Sequence, residues 1–167
     1  MSFLGNFMIS NLYIFSTSGK LLFSKNWKTQ GSVEEDPVLV SGFLSAIWMF
    51  AQKIAIRESK SVRAIQTEDR LLVGIASPTY NLLFVLVGDP GADIGACKSL
   101  LARIRQSFLQ KFRKTLKNEP DFRSEDFDEW LQNAEKIVKD TELTTVESAM
   151  KHIIKNLADK AKEEGKK

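Results

Sequence analysis

The chain reads as an α/β (α+β) domain: a five-stranded antiparallel sheet sandwiched between helices, with a C-terminal helical pair. From Met8 to Phe112 the apolar pattern runs strand, strand, long helix, three strands, long helix. Two of those strands, Leu71–Ala76 (LLVGIA) and Leu82–Val87 (LLFVLV), are apolar at nearly every position. A half-buried strand alternates, so a near-continuous run implies a sheet covered on both faces. The helix before the last three strands and the helix after them supply the two covers. Small folds built this way mostly hold partners rather than turn over substrates.

The elements follow in order. Met8–Ser16 is rich in β-formers and leads through the turn cluster Thr17-Ser18-Gly19-Lys20 into Leu21–Ser24, a hairpin pattern. Lys28–Asp36 is a polar loop. Asp36-Pro37 then places a capping side chain before the residue best tolerated in a first helical turn. Over Pro37 to about Ile56, spacing residues at helical intervals puts Leu39, Val40, Phe43, Leu44, Ala46, Ile47, Trp48, Phe50, Ala51, Ile54 and Ala55 on one arc of roughly 200°. A surface helix needs only about 100° to dock. Either the helix lies deep against the sheet between other segments, or one margin (Leu44 and Trp48, with Met49 beyond) faces a partner; Trp and Met are enriched in interface cores.

Ser61–Glu68, Leu71–Ala76 and Leu82–Val87 form a meander, with Glu68-Asp69-Arg70 and Ser77–Asn81 as tight connections. The next helix carries Ile94, Cys97, Leu101, Ile104, Phe108 and Phe112 on one stripe and fades before Pro120. From Asp121 acidic residues dominate. Ser124 caps a helix with Phe127, Trp130, Leu131, Ala134, Ile137 and Val138 inward. Thr144-Thr145-Val146-Glu147 has capping-box spacing and opens a last helix with Val146, Ala149, Met150, Ile153, Ile154 and Leu157 on its apolar side.

The whole chain sets bounds on function. Its 167 residues suit one domain with a helical extension, and 43% hydrophobic with 27% charged residues is ordinary for a globular protein. A net charge of +3 does not by itself imply nucleic acid. The one cysteine, Cys97, excludes an internal disulfide framework and suits a reducing, cytoplasmic setting. No apolar run reaches the roughly 18 residues of a membrane span, and Met1–Phe7 lacks the pattern of a secretory signal.

The catalytic inventory is thin. With one Cys and one His (His152), a Cys/His zinc site cannot be built, and Cys97 has no evident base to make it a thiolate. Gly88-Asp89-Pro90-Gly91-Ala92-Asp93 has the glycines of a phosphate loop but not its Gly-Lys-Ser/Thr ending, and its two aspartates would repel phosphate. A tight turn with an N-cap is the better reading. No catalytic residue, metal ligand or cofactor is expected. Lys98, Arg103, Arg105, Lys111, Arg113, Lys114 and Lys117 give the second long helix a basic outer face without an acidic residue between Ile94 and Asn118. That face is either solvated and partly neutralised by the acidic segment after it, or attracted to anionic lipid or an acidic partner. Lys111, Arg113, Lys114 and Lys117 are the candidate contacts. The aromatic residues of this helix, Phe108 and Phe112, belong to the apolar stripe and not to the basic face where they could stack on bases, so nucleic acid is not expected.

Asn11–Trp27 (NLYIFSTSGKLLFSKNW) resembles the opening hairpin of longin domains, a fold related to roadblock. Asp36–Ile54 (DPVLVSGFLSAIWMFAQKI) looks like the first helix of archaeal longin-like proteins. Leu82–Phe112, a strand, GDPG and a helix ending in phenylalanines, is similar to their closing unit. Asp121–Ala134 (DFRSEDFDEWLQNA) resembles the segment after the longin core in the alpha subunit of the signal-recognition-particle receptor, whose domain binds a small GTPase. Unlike longin SNAREs, the chain shows no long heptad-repeat helix after the core and no lipidation cysteine.

The resemblance implies a longin-like domain over residues 1–118, a helical extension over 119–167 and strand order 2-1-5-4-3. The second and third strands would then be edges, blunted by Lys20, Lys25, Lys60 and Arg63. It further implies a non-catalytic adaptor or regulatory scaffold for a Ras- or Arf-like small GTPase in membrane-trafficking-type machinery, cytoplasmic and peripheral to a membrane. The partner would meet the first helix and the neighbouring hairpin edge at Leu44, Trp48, Met49, Leu22 and Trp27. A homodimer, or a structural subunit of a coat or tethering assembly without a GTPase, is the alternative.

Overall fold

The computed structural model describes residues 9–27, 36–54, 64–117 and 124–164. The expected polar loop, the start of the third strand, Lys60 and Arg63 lie outside the described residues, as does the side chain of His152. The elements are β1 (Ile9–Ser16), β2 (Leu21–Asn26), α1 (Pro37–Ile54), β3 (Ala64–Gln66), β4 (Leu71–Ser77), β5 (Leu82–Gly88), α2 (Ile94–Lys117) and α3 (Asp128–Glu164). The strands form one antiparallel sheet in the order β2-β1-β5-β4-β3, as expected.

The central strand β5 is buried over its whole length, which is why its apolar run does not alternate. Its side chains divide by parity. Leu82, Phe84 and Leu86 join a core beneath α2 and α3, whereas Leu83, Val85 and Val87 join a core beneath α1.

The α2/α3 side is aromatic at its centre. Phe108 meets the edge of Phe84 at 5.5 Å and of Trp130 at 5.0 Å, and Phe23 of β2 packs on Trp130 at 5.2 Å. Phe127, Trp130, Ala134 and Val138 bring α3 into this core, so α2 and α3 together close one face. A Lys25–Glu135 ion pair at 3.3 Å ties β2 to α3, giving this lysine a tertiary contact in addition to its place on an edge strand.

On the other face, α1 meets the hairpin turn through small residues and the sheet through Leu44 and Trp48. Ser45 donates to the Thr17 carbonyl at 2.8 Å, and the Ser41 hydroxyl is shared between the Val38 carbonyl of its own helix at 2.9 Å and the Gly19 carbonyl at 3.3 Å, so both serines sit against the β1–β2 turn. Gly19 sits at φ +93°, where an L side chain is strained, and a Cβ there would lie 3.7 Å from the Gly42 Cα. Further along α1, Trp48 lies flat on β4 at Gly74: a Cβ on that glycine would fall on the Cζ2 and Cη2 atoms of the indole. Leu44 and Trp48 are 1% and 2% exposed. They are therefore core residues and not the free margin of the helix. The indole N–H is buried with no acceptor among the described residues, a cost the packing must offset.

Two further expectations are revised. The predicted C-terminal pair is a single 37-residue helix, α3. Thr144 and Thr145 cost only tenths of a kcal/mol each in a helix, and without Gly or Pro nothing there stops propagation (about 0.7 kcal/mol at most per ordinary residue). Leu22 and Trp27 face the α2/α3 core, on the opposite side of the sheet from α1. The pairing shifts between Ile14 and Phe15, whose partners are Phe23 and Leu21, so Leu22 is the extra residue of a bulge and turns with Phe23 to that face.

Replacing Gly74 by Ala is expected to lower stability by about 1–3 kcal/mol through the clash with the indole. Denaturant unfolding of the G74A variant measures it. A companion G74A/W48L variant should recover part of the loss, and additive losses would contradict the contact.

Candidate functional site

The rotation of α1 set by Ser41, Leu44, Ser45 and Trp48 turns a second set of large apolar side chains outward. Leu39, Phe43 and Phe50 are 72%, 65% and 66% exposed, with Val38 and Met49 beside them at 63% and 49%. On the helix, Leu39, Phe43 and Phe50 fall within about 40° of one another and lie roughly opposite the serine–tryptophan stripe. The helix is thus more apolar outside than inside. No charged residue occurs from Pro37 to Gln52, whereas a solvated helix face ordinarily carries charge. Asp36 caps the helix through the Val38 N–H at 2.9 Å, so this face begins at its first turn.

Of the residues expected to form a partner surface, the structure leaves only Met49 on this exposed face. Leu44 and Trp48 lie beneath α1, and Leu22 and Trp27 lie across the sheet, so the five do not make one surface. The residues missed were Val38, Leu39, Phe43 and Phe50. The signal that finds them is the Ser41–Ser45 pair, which marks the face held against the hairpin turn.

On α2, Arg113, Lys114 and Lys117 are exposed, while Lys111 is drawn toward α3 by an ion pair with Glu129. Beside them an open groove of about 850 Å³ runs between α2 and the Pro78–Tyr80 turn, lined in part by Arg103, Arg105 and Arg113. Arg105 is committed to the Ala76 carbonyl at 3.1 Å and Arg103 to Thr141 Oγ1 at 2.9 Å.

The expected turn and N-cap are present at the start of α2. The Ala92 N–H bonds the Asp89 carbonyl at 3.1 Å, and the Asp93 carboxylate accepts from the Ala96 N–H at 2.6 Å. A carboxylate thus fills the place a phosphate would take. Cys97 is buried; its burial, with the nearby Asp93 carboxylate adding to it, pushes the thiol from 9.0 up to about 12. That thiol is not a nucleophile at neutral pH. Among the described residues no group of His, Cys, Asp and Glu could hold a metal ion, and no helix is long and apolar enough to cross a membrane.

No family model matches the chain, and no curated protein matches it. Among solved structures it is similar to a Roadblock/LC7 domain from Streptomyces avermitilis, with a TM-score of 0.47 and 13% identity over 65% of this chain and 89% of that one.

Because the folded state holds the Cys97 proton more tightly than the unfolded state, its contribution to stability is complete below pH 9 and fades as pH rises toward 12. Across that interval wild type should lose more stability than C97A, as read from unfolding midpoints at each pH. Equal slopes would show that the thiol titrates freely.

Proposed function

We propose that the protein is a non-catalytic adaptor or regulatory scaffold that docks a protein partner on the outer face of α1. The observation that carries this reading is the exposure of Leu39, Phe43 and Phe50 on a helix without charge over sixteen residues, Pro37 to Gln52. Contiguous exposed apolar surface of this kind marks association sites on soluble proteins. Aromatic and methionine side chains are the ones enriched in the buried centres of interfaces.

The partner class we favour is a Ras- or Arf-like small GTPase. The support for that choice is the resemblance of Asn11–Trp27, Asp36–Ile54 and Leu82–Phe112 to longin domains, together with the short Asp121–Ala134 similarity. A second reading, a homodimer or a permanent subunit of a coat or tethering assembly, is favoured by the same lack of charge. Lasting interfaces are more apolar than transient ones.

The test uses the full chain with F43E and F50E, both at exposed positions. Light scattering gives the molar mass, and pull-down with Ras- and Arf-like GTPases loaded with GDP or a GTP analogue gives nucleotide dependence. Retention of one nucleotide state, weakened by about 2 kcal/mol or more in each variant, is the expected result. A stable dimer that both variants dissociate, with no GTPase retained, would establish the second reading. A monomer that retains no partner would leave α1 without either role.

A further inference from the structure

α3 runs back along α2 and then passes its end. The contacts pair Glu129 with Lys111, Trp130 and Asn133 with Ser107, and Thr141 with Arg103. α2 begins at Ile94, nine residues before Arg103, and nine residues beyond Thr141 is Met150. With equal rise in both helices, α3 overhangs α2 from Met150 onward, by about 20 Å.

This overhang is amphipathic in its own right. Met150, Ile153, Ile154 and Leu157 are each more than half exposed, at 57%, 57%, 63% and 61%, and fall on one stripe. The stripe is rotated by about 150° from Trp130, Ala134 and Val138, which face the core on the same helix. Continuing the core would never bury it. Lys160 borders the stripe on one side, about 70° from its centre; Lys151 and Lys162 lie about 110–130° round on the other, and Lys155 stands beside Asp159 on the far, polar side; all five are exposed. An apolar stripe with a lysine-rich polar face and low net hydrophobicity is the pattern of a helix that lies in a bilayer interface. The apolar stripe of α2 faces the sheet, so its exposed Arg113, Lys114 and Lys117 look away from the sheet, at the end of α2 far from the overhang.

A zipper with a second copy fits less well. Along the seam Met150, Ile153, Leu157 the next position is Lys160, and the flanking Ile154, Asn156 and Ala161 carry no charges to set a register. Two free heptads are also short for a stable coiled coil.

We infer that the overhang of α3, residues 150–162, is a second and separate binding site that lays its Met150–Leu157 stripe into an anionic lipid surface. Its lysines pair with the headgroups, and binding is reversible and salt-sensitive. The site is independent of the α1 face.

Flotation of the full chain with vesicles of phosphatidylcholine, with and without phosphatidylserine, tests it. The protein is expected to float with the anionic vesicles alone and to be released at about 0.5 M salt. Both I153E/I154E and K151E/K155E/K162E should lower partitioning about tenfold or more while circular dichroism shows the helices intact. F43E should float as wild type does. The inference is overturned if wild type stays in solution, if both overhang variants float unchanged, or if binding is lost only with R113E/K114E/K117E. It is equally overturned if I153E/I154E converts a dimer to a monomer and vesicle binding is absent.

Discussion

Two hydroxyls decide what α1 offers to the outside. Ser41 and Ser45 bond the carbonyls of the β1–β2 turn, and they can do so only if the helix comes close to the backbone at Gly19. Each such bond contributes about 1 kcal/mol net. The geometric constraint matters more than that energy. A phenylalanine in place of either serine would hold the helix away from the turn and lift Trp48 off Gly74. The inner face is therefore small at the turn and takes Leu44 and Trp48 further along, while Leu39, Phe43 and Phe50 point outward. In the isolated chain their apolar area faces water, at a cost of roughly 25 cal/mol per Å². A partner docked on this face would recover it.

The sheet was legible because its central strand is buried on both sides. Leu82–Gly88 has no alternation to misread, and the runs on either side are separated by turn residues. The rotation of α1 was not legible from apolar periodicity, since a helix apolar around most of its circumference gives no direction. Size and polarity carried the missing direction. Serines four apart in an otherwise apolar helix are either solvated or bonded to backbone; here the hairpin turn takes Ser45, and Ser41 is shared between the turn and the Val38 carbonyl of its own helix. Leu22 was misplaced for a different reason. Parity along β2 holds only if the pairing is regular, and the shift at Ile14–Phe15 sends Leu22 and Phe23 to one face. Nothing in the local sequence announces that bulge.

α3 shows where a local signal loses to propagation. Thr144–Glu147 has the spacing of a capping box, and the apolar stripe changes face near it, which together suggest two helices. Both observations are sound, but neither requires a break. A capping box stabilises a helix start only if the chain enters from a non-helical residue, and here the preceding turn is already helical. Continuing costs one threonine propensity at a time, whereas stopping requires a new nucleus. The change of face then becomes a property of one rod: its first half belongs to the core and its second half does not.

That rod also fixes the direction of the two exposed apolar stripes relative to each other. α1 covers one face of the sheet and turns Leu39, Phe43 and Phe50 away from it; α2 and α3 cover the other. The overhang's stripe is rotated away from the core on that second side, where Arg113, Lys114 and Lys117 also lie exposed. The stripes are therefore separated by the full thickness of a three-layer fold, and a partner on α1 does not occlude the overhang. Competition would require either site to reach around the sheet. A protein that needs one face for a folded partner and another for a flat, charged surface gains from this layering. The same core that hides Cys97 keeps the two faces apart.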